Sequence, residues 1–174
     1  SDEEHGAWVG STDEAMWLRF GSLFKLPIPV PEIVQLKKSL YMECLKKKGN
    51  IRPIPYAREL IVNLNKAGFV LALASSAPPE QIDYVINDLE IRSYFQVTVS
   101  GEDVKAGKPH PEIFLKVARS VGVEPGSCIV IEDSHNGVTA AKNAGMKCIG
   151  YKNPNSGNQD LSKADVVVCP LTEI

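Results

Sequence analysis

Cys128-Ile129-Val130-Ile131-Glu132-Asp133-Ser134 is a short apolar run that ends abruptly in two carboxylates and a hydroxyl. So brief a stretch, rich in β-branched residues, reads as a strand rather than a helix. Two adjacent acids where a buried strand meets its loop are costly unless something neutralises them. A hard divalent cation would do so. Mg²⁺ typically takes one or two protein carboxylates and completes its shell with water and substrate phosphate. Glu132 and Asp133 are therefore candidate metal ligands. The plainer alternative is that Asp133 or Ser134 caps the following helix.

The same punctuation recurs outward from this stretch. Phe69-Val70-Leu71-Ala72-Leu73-Ala74 is expected to form a strand buried on both faces. It follows a helix predicted from Ala57, Leu60, Ile61 and Leu64, with Pro55 at its first position and Gly68 at its end. Next come a helix over about 80–89, the strand Gln96-Val97-Thr98-Val99, and a helix opened by Pro111 and running to Val121. A helix from about Asn136 to Asn143 and strands at Lys147-Cys148-Ile149-Gly150 and Asp165-Val166-Val167-Val168 complete the series. Such alternation means βαβ units, hence an α/β fold with a Rossmann-like parallel sheet covered on both sides. Ligands bind these sheets at the carboxyl ends of the strands.

Before residue 50 the pattern is helical only. Ser11-Thr12-Asp13 can cap a helix carrying Ala15, Leu18, Phe20 and Leu23. The proline-rich Leu26-Pro27-Ile28-Pro29-Val30-Pro31 cannot continue it. A second helix is predicted from about Glu32 to Lys48, with Ile33, Leu36, Leu40 and Leu45 on one side and Gly49 and Asn50 ending it. Residues 1–50 are thus expected to form a small helical unit beside an α/β unit over 51–174, with Trp8 and Trp17 as packing residues.

Two further strand ends carry chemistry. Ser75-Ser76 lies between a buried strand and a helix start, where free N–H groups and the dipole favour an anion. Either serine could equally well cap that helix. Lys108 stands in Gly107-Lys108-Pro109-His110-Pro111-Glu112, where Gly107 and two prolines hold it in a rigid, non-helical stretch. A lysine fixed in that way beside a parallel sheet is a candidate positive charge for phosphate. Lys105 reads as a solvated surface charge. His110 reads as a loop residue, since no second histidine stands near it.

The order strand–Ser, Gly-Lys-Pro, strand–Glu-Asp resembles the haloacid dehalogenase superfamily, in the β-phosphoglucomutase-like phosphatase branch whose helical cap is inserted near the N-terminus. Leu71-Ala72-Leu73-Ala74-Ser75 matches its second motif, the Gly107–Glu112 stretch its third, and Ile129-Val130-Ile131-Glu132-Asp133-Ser134 its fourth. Asn136-Gly137-Val138-Thr139-Ala140-Ala141 and Ala144-Gly145-Met146 also fit. The resemblance implies a partial cap over 1–50 and a core over 51–174. It further implies a Mg²⁺-dependent phosphomonoester hydrolase whose substrate is a small phosphorylated metabolite such as a sugar phosphate. Ser75, Ser76 and Lys108 would hold the phosphate, Lys108 would stabilise the transferring charge, and Glu132 with Asp133 would hold Mg²⁺.

One departure matters. The superfamily's first motif is D-x-D-G at the end of the first core strand. Its first Asp becomes an aspartyl phosphate and its second serves as general acid and base. No stretch of these 174 residues matches it. The resemblance therefore implies a chain that begins inside the cap, is inactive as it stands, and lacks the central strand between those carrying Ser75 and Asp133. The sequence is expected to be a fragment of a longer protein, or else another segment fills the gap.

Composition excludes other classes. Apolar and charged fractions of 44% and 23% suit an ordinary globular protein, and a net charge of −2 gives no reason to expect nucleic acid or an anionic membrane as partner. Cys44, Cys128, Cys148 and Cys169 form no C-x-x-C pair; three lie in apolar runs and read as buried, reduced thiols. With the acidic start Ser1-Asp2-Glu3-Glu4, which is no signal peptide, this points to a cytoplasmic location. Competing readings are a phosphosugar mutase, a signalling receiver domain and a non-catalytic phosphate-binding relic. Mutases of the branch place an arginine near the position of Asp13 to grip a second phosphate, and an acid there would repel one. Receivers carry their acidic pair ahead of the hydroxyl and lysine, the reverse of the order here.

Overall fold

The computed structural model describes residues 10–48 and 51–174. Trp8, Gly49 and Asn50, with the roles read for them above, lie outside the described residues. Helix α1 (Asp13–Leu23) is capped by Thr12, whose side-chain oxygen accepts the Ala15 N–H at 3.3 Å. Trp17 packs on Phe20 with ring centroids 5.7 Å apart. Helix α2 (Val30–Lys48) starts two residues earlier than predicted, because Pro31 is tolerated in a first turn.

The expected apolar stripe of α2 holds only in part: Ile33 and Leu45 are half-buried, whereas Leu36 and Leu40 are each 53% exposed and Met42, outside the stripe, is buried. Lys38, one turn before Met42, is ion-paired with Glu102 of the α/β unit. Residues i and i+4 share a helix face, so α2 turns its Lys38–Met42 side inward.

Helix α3 (Ala57–Lys66) follows Tyr56, whose φ of 67° places Pro55 ahead of the helix rather than at its first position. Strand β1 (Leu71–Ser75) is shorter than expected: Phe69 and Val70 precede it and are more than half exposed. Helix α4 (Pro79–Asp88), strand β2 (Phe95–Ser100) and helix α5 (Glu112–Val121) come next. Strand β3 (Ile129–Glu132), helix α6 (His135–Asn143) and strands β4 (Lys147–Tyr151) and β5 (Val166–Val168) complete the chain. Every ladder is parallel.

Helices α5 and α6 cover one face, where Ile113, Phe114, Val138 and Ala141 pack with Val99 and Cys148. On the other face Ile82 and Ile86 of α4 meet Leu73, while Tyr151, Val168 and Leu171 form a separate cluster with Ile54 and Ala57.

The sheet comes in two pieces, β1–β2 and β3–β4–β5. No described strand lies between β1 and β3, so each keeps an unpaired edge. Ile129 and Ile131 of β3 remain 58% and 39% exposed. A missing central strand is what the resemblance implies.

The cysteines need a correction. Cys148 is buried and Cys128 half-buried, but Cys44 and Cys169 are exposed. Cys169 stands just past the short edge strand β5, beyond the cover that an interior strand provides. Among the described residues no helix is long and apolar enough to cross a membrane.

Candidate active site

The carboxyl ends of β1 and β3 open onto one cleft of about 620 Å³. Ser75, Ser76, Lys108, Glu132 and Asp133 all line it, together with Asp13 and Lys37 from α1 and α2. Within each piece of sheet the parallel ladders bring the strands' last residues to one side, which places Ser75 at the end of β1 and Glu132 at the end of β3 on the cleft.

Neither serine caps α4 with its side chain; the N-cap is Pro78. Ser75 Oγ accepts the Ala77 N–H at 3.2 Å, which leaves its O–H proton to be donated. Ser76 Oγ donates instead to the Gly10 carbonyl at 2.7 Å and thereby ties the start of the helical unit to the α/β unit.

Lys108 is 8% exposed. Its Nζ donates to the Ala74 carbonyl at 3.4 Å, is ion-paired with Glu132, and lies 5.0 Å from the Phe114 ring centroid. An ammonium has three donors, so one remains after Ala74 and Glu132 are served. Glu112, the last residue of the Gly-Lys-Pro stretch, holds the turn that carries Lys108. Its carboxylate accepts the Lys105 and Ala106 N–H groups at 3.1 and 3.0 Å. Those two bonds set the Glu112 carboxyl below its ordinary range. His110 and Lys105 are exposed loop residues, as expected.

Of the residues at the end of β3, it is Ser134 that caps α6, accepting the Gly137 N–H at 3.0 Å. Its hydroxyl also donates to Glu132 Oε2 at 3.0 Å. Glu132 is thus bound by Lys108 on one oxygen and Ser134 on the other. A Cβ at Gly137 would run into this carboxylate, so Gly137 provides the space it fills. Asp133 is turned the other way, with Oδ2 accepting from Asn153 and Ser156. Among the described residues no cluster of three or more metal-ligating side chains gathers. Among the described residues no donor engages Asp133 Oδ1, and such an oxygen in a polar cleft still suits a hard ion that keeps several waters.

Sequence reasoning missed Glu112, Asn153 and Ser156, together with Ser100, whose hydroxyl donates to the Ala77 carbonyl at 2.7 Å and braces the loop after β1. Only Glu112 had a sequence signal, its place in the third motif. Asp13 is ion-paired with Lys37, so its charge is balanced at the cleft.

The family profile described as haloacid dehalogenase-like hydrolase matches residues 1–151. Hexitol phosphatase B of Escherichia coli is 34% identical over 125 residues, 71% of this chain and 56% of that protein. A phosphoglycolate phosphatase of Escherichia coli is 30% identical over 152 residues, 84% of this chain and 60% of that one. The chain therefore spans between half and two thirds of the length of these relatives. Among solved structures, CbbY from Rhodobacter sphaeroides in complex with phosphate aligns with a TM-score of 0.83 at 26% identity, covering 95% of this chain and 76% of that one. A β-phosphoglucomutase from Clostridium difficile aligns with a TM-score of 0.81 at 25% identity, covering 97% and 75%.

Proposed function

Because the chain belongs to the haloacid dehalogenase-like hydrolases, in their phosphatase branch, we propose that the whole protein is a Mg²⁺-dependent phosphomonoester hydrolase. Its substrate is a small phosphorylated metabolite such as a sugar phosphate. One observation carries this reading: Ser75, Lys108 and Asp133, from three distant segments, meet around a single cleft at the strand ends.

The Ser75 hydroxyl and the remaining Lys108 donor hold the phosphate and stabilise charge on its oxygens as the ester bond breaks. Asp133 would hold Mg²⁺, its Oδ2 being taken by Asn153 and Ser156, and Glu132 adds negative charge beside it while fixing Lys108. The chemistry a Mg²⁺ held there would supply is Lewis-acid polarisation and charge screening of the phosphoryl group. Helices α1 and α2 act as a cap that closes the cleft against water. In the whole protein the phosphoryl group passes through an aspartyl phosphate. The 174 residues contain no D-x-D-G, so this chain by itself binds phosphate without turning it over. Four free cysteines fit a reducing compartment such as the cytoplasm.

A phosphosugar mutase is the second reading, supported by the likeness to β-phosphoglucomutase. It needs an uncommitted cation for a second phosphate near Asp13, whereas Lys37 there is already ion-paired with Asp13. Hydrolysis therefore has the better support.

The test is turnover of an aryl phosphate with Mg²⁺ and then with a chelator. The 174-residue chain is expected to be inactive, and the same chain fused behind a relative's D-x-D-G strand to show Mg²⁺-dependent hydrolysis. Metal-dependent turnover by the unfused chain that survives repurification would mean that the nucleophile is already present. A fused chain that stays inactive while binding phosphate would point to a non-catalytic relic.

A further inference from the structure

The loop between β4 and β5 has no part in the motifs, yet it closes on Asp133. Its sequence Asn153-Pro154-Asn155-Ser156-Gly157-Asn158-Gln159 is exposed except at Asn153, Ser156 and Gln159, which are half-buried. These three point their polar groups at the start of α6.

Asn153 Nδ2 donates to Asp133 Oδ2 at 2.7 Å, and Ser156 Oγ donates to the same oxygen at 2.6 Å. The two donors are themselves joined, Asn153 Nδ2 to Ser156 Oγ at 2.9 Å. The orientation of the amide is fixed independently. The Asn155 N–H donates to Asn153 Oδ1 at 3.0 Å, and a backbone N–H can only donate. The carbonyl oxygen must therefore face Asn155, and the NH₂ group must face Asp133. Gln159 locks the arrangement to the helix: its Nε2 donates to the Ser156 carbonyl and its Oε1 accepts the His135 N–H, both at 3.0 Å.

The consequence is an Asp133 carboxylate with one oxygen consumed and its rotation fixed. Among the described residues no donor engages Oδ1. A cation in the cleft can then take one oxygen of Asp133 and not both. Monodentate coordination suits Mg²⁺ or Mn²⁺, whose small octahedral shells fit a carboxylate's narrow bite poorly, whereas Ca²⁺ readily takes bidentate carboxylates. We infer that Asn153 and Ser156 are positioning residues that hold Asp133 as a monodentate ligand and so select a small octahedral cation over Ca²⁺. This rests on the reading of Asp133 as the metal ligand and adds what sets the choice of metal.

The test is Mn²⁺ binding to the full chain, read by electron paramagnetic resonance of the free ion, with competition by Mg²⁺ and Ca²⁺. Asn153→Ala and Ser156→Ala are expected to weaken Mn²⁺ by about 10–100-fold, the usual cost of losing an outer partner of a metal ligand. Ca²⁺ should weaken less, so the preference for Mn²⁺ over Ca²⁺ narrows. Ser156→Thr keeps the hydroxyl and should restore both affinity and preference, a recovery that mere loop packing would not give. Thermal midpoints without metal show whether each variant folds. Wild-type affinity and preference in Asn153→Ala or Ser156→Ala would overturn the inference while leaving the metal site standing. Absence of saturable Mn²⁺ binding by the wild-type chain, with Asp133→Asn indistinguishable from it, would overturn the metal-site reading and the inference together.

Discussion

Lys108 and Glu132 form an ion pair across the gap between the two pieces of sheet, with side chains only 5% and 10% exposed. The Lys108 ammonium also reaches the last carbonyl but one of β1, so a single side chain joins the ends of β1 and β3. No described strand pairs with both of these edges.

Breaking this pair from one side leaves a buried charge without its partner. Lys108→Met or Glu132→Gln is expected to cost about 3–5 kcal/mol in urea unfolding. Lys108→Met combined with Glu132→Leu should recover much of that loss, because two apolar groups leave no charge uncompensated. Equal losses in the single and double variants would show that packing and not charge dominates here.

Gly137→Ala is expected to destabilise by about 1–3 kcal/mol although alanine is the better helix former, because its Cβ would collide with the Glu132 carboxylate. Gly126→Ala, with nothing within 4 Å of the new Cβ, serves as the control and should stay within about 0.5 kcal/mol of wild type. Thermal unfolding of the two variants decides the matter.

The four thiols should react in an order set by exposure. Cys44 and Cys169 are exposed and should react first with a thiol reagent at pH 8, and half-buried Cys128 more slowly. Cys148 should react only after denaturation. Burial, and then the charges of Glu132 and Asp165, push its thiol up to about 11. Mass spectrometry of timed labelling gives the order.

Glu112 sets an acid limit on the turn that carries Lys108. Its carboxyl lies below the ordinary value of 4.5 because the Lys105 and Ala106 N–H groups donate to it. A carboxyl depressed in the folded state contributes fully above its unfolded pKa, and the contribution is lost as pH falls through the folded value. The amide proton shifts of Lys105 and Ala106 should therefore titrate together with a midpoint below 4.5. Glu112→Ala should abolish that titration.

That Ser75 and Asp133 stand at the cleft was legible because strands announce themselves as short apolar runs and each residue stands where a run stops; Lys108 was legible from the Gly-Lys-Pro stretch that holds it. Glu132 was legible only as an acid at a strand end. Its partner stands 24 residues away in a turn of its own, and both had a plausible external ligand. Asn153 and Ser156 sit among Pro, Asn and Gly, where polar residues ordinarily make only the turn. Nothing local distinguishes a serine that reaches Asp133 from one that faces water. The inward face of α2 was misread for a related reason. Leucine spacing alone favoured Leu36 and Leu40, and the ion pair of Lys38 with Glu102 is visible only once the two units are packed.

The cleft between β1 and β3 is proposed as a phosphate site. Titration calorimetry of inorganic phosphate into the 174-residue chain, with and without Mg²⁺, tests it most directly. Saturable binding is expected, strengthened by Mg²⁺ and weakened about tenfold in Ser75→Ala, where one hydrogen bond to a charged group is lost. Undetectable binding, or binding equally tight in Ser75→Ala, would mean that the cleft is not a phosphate site built on Ser75.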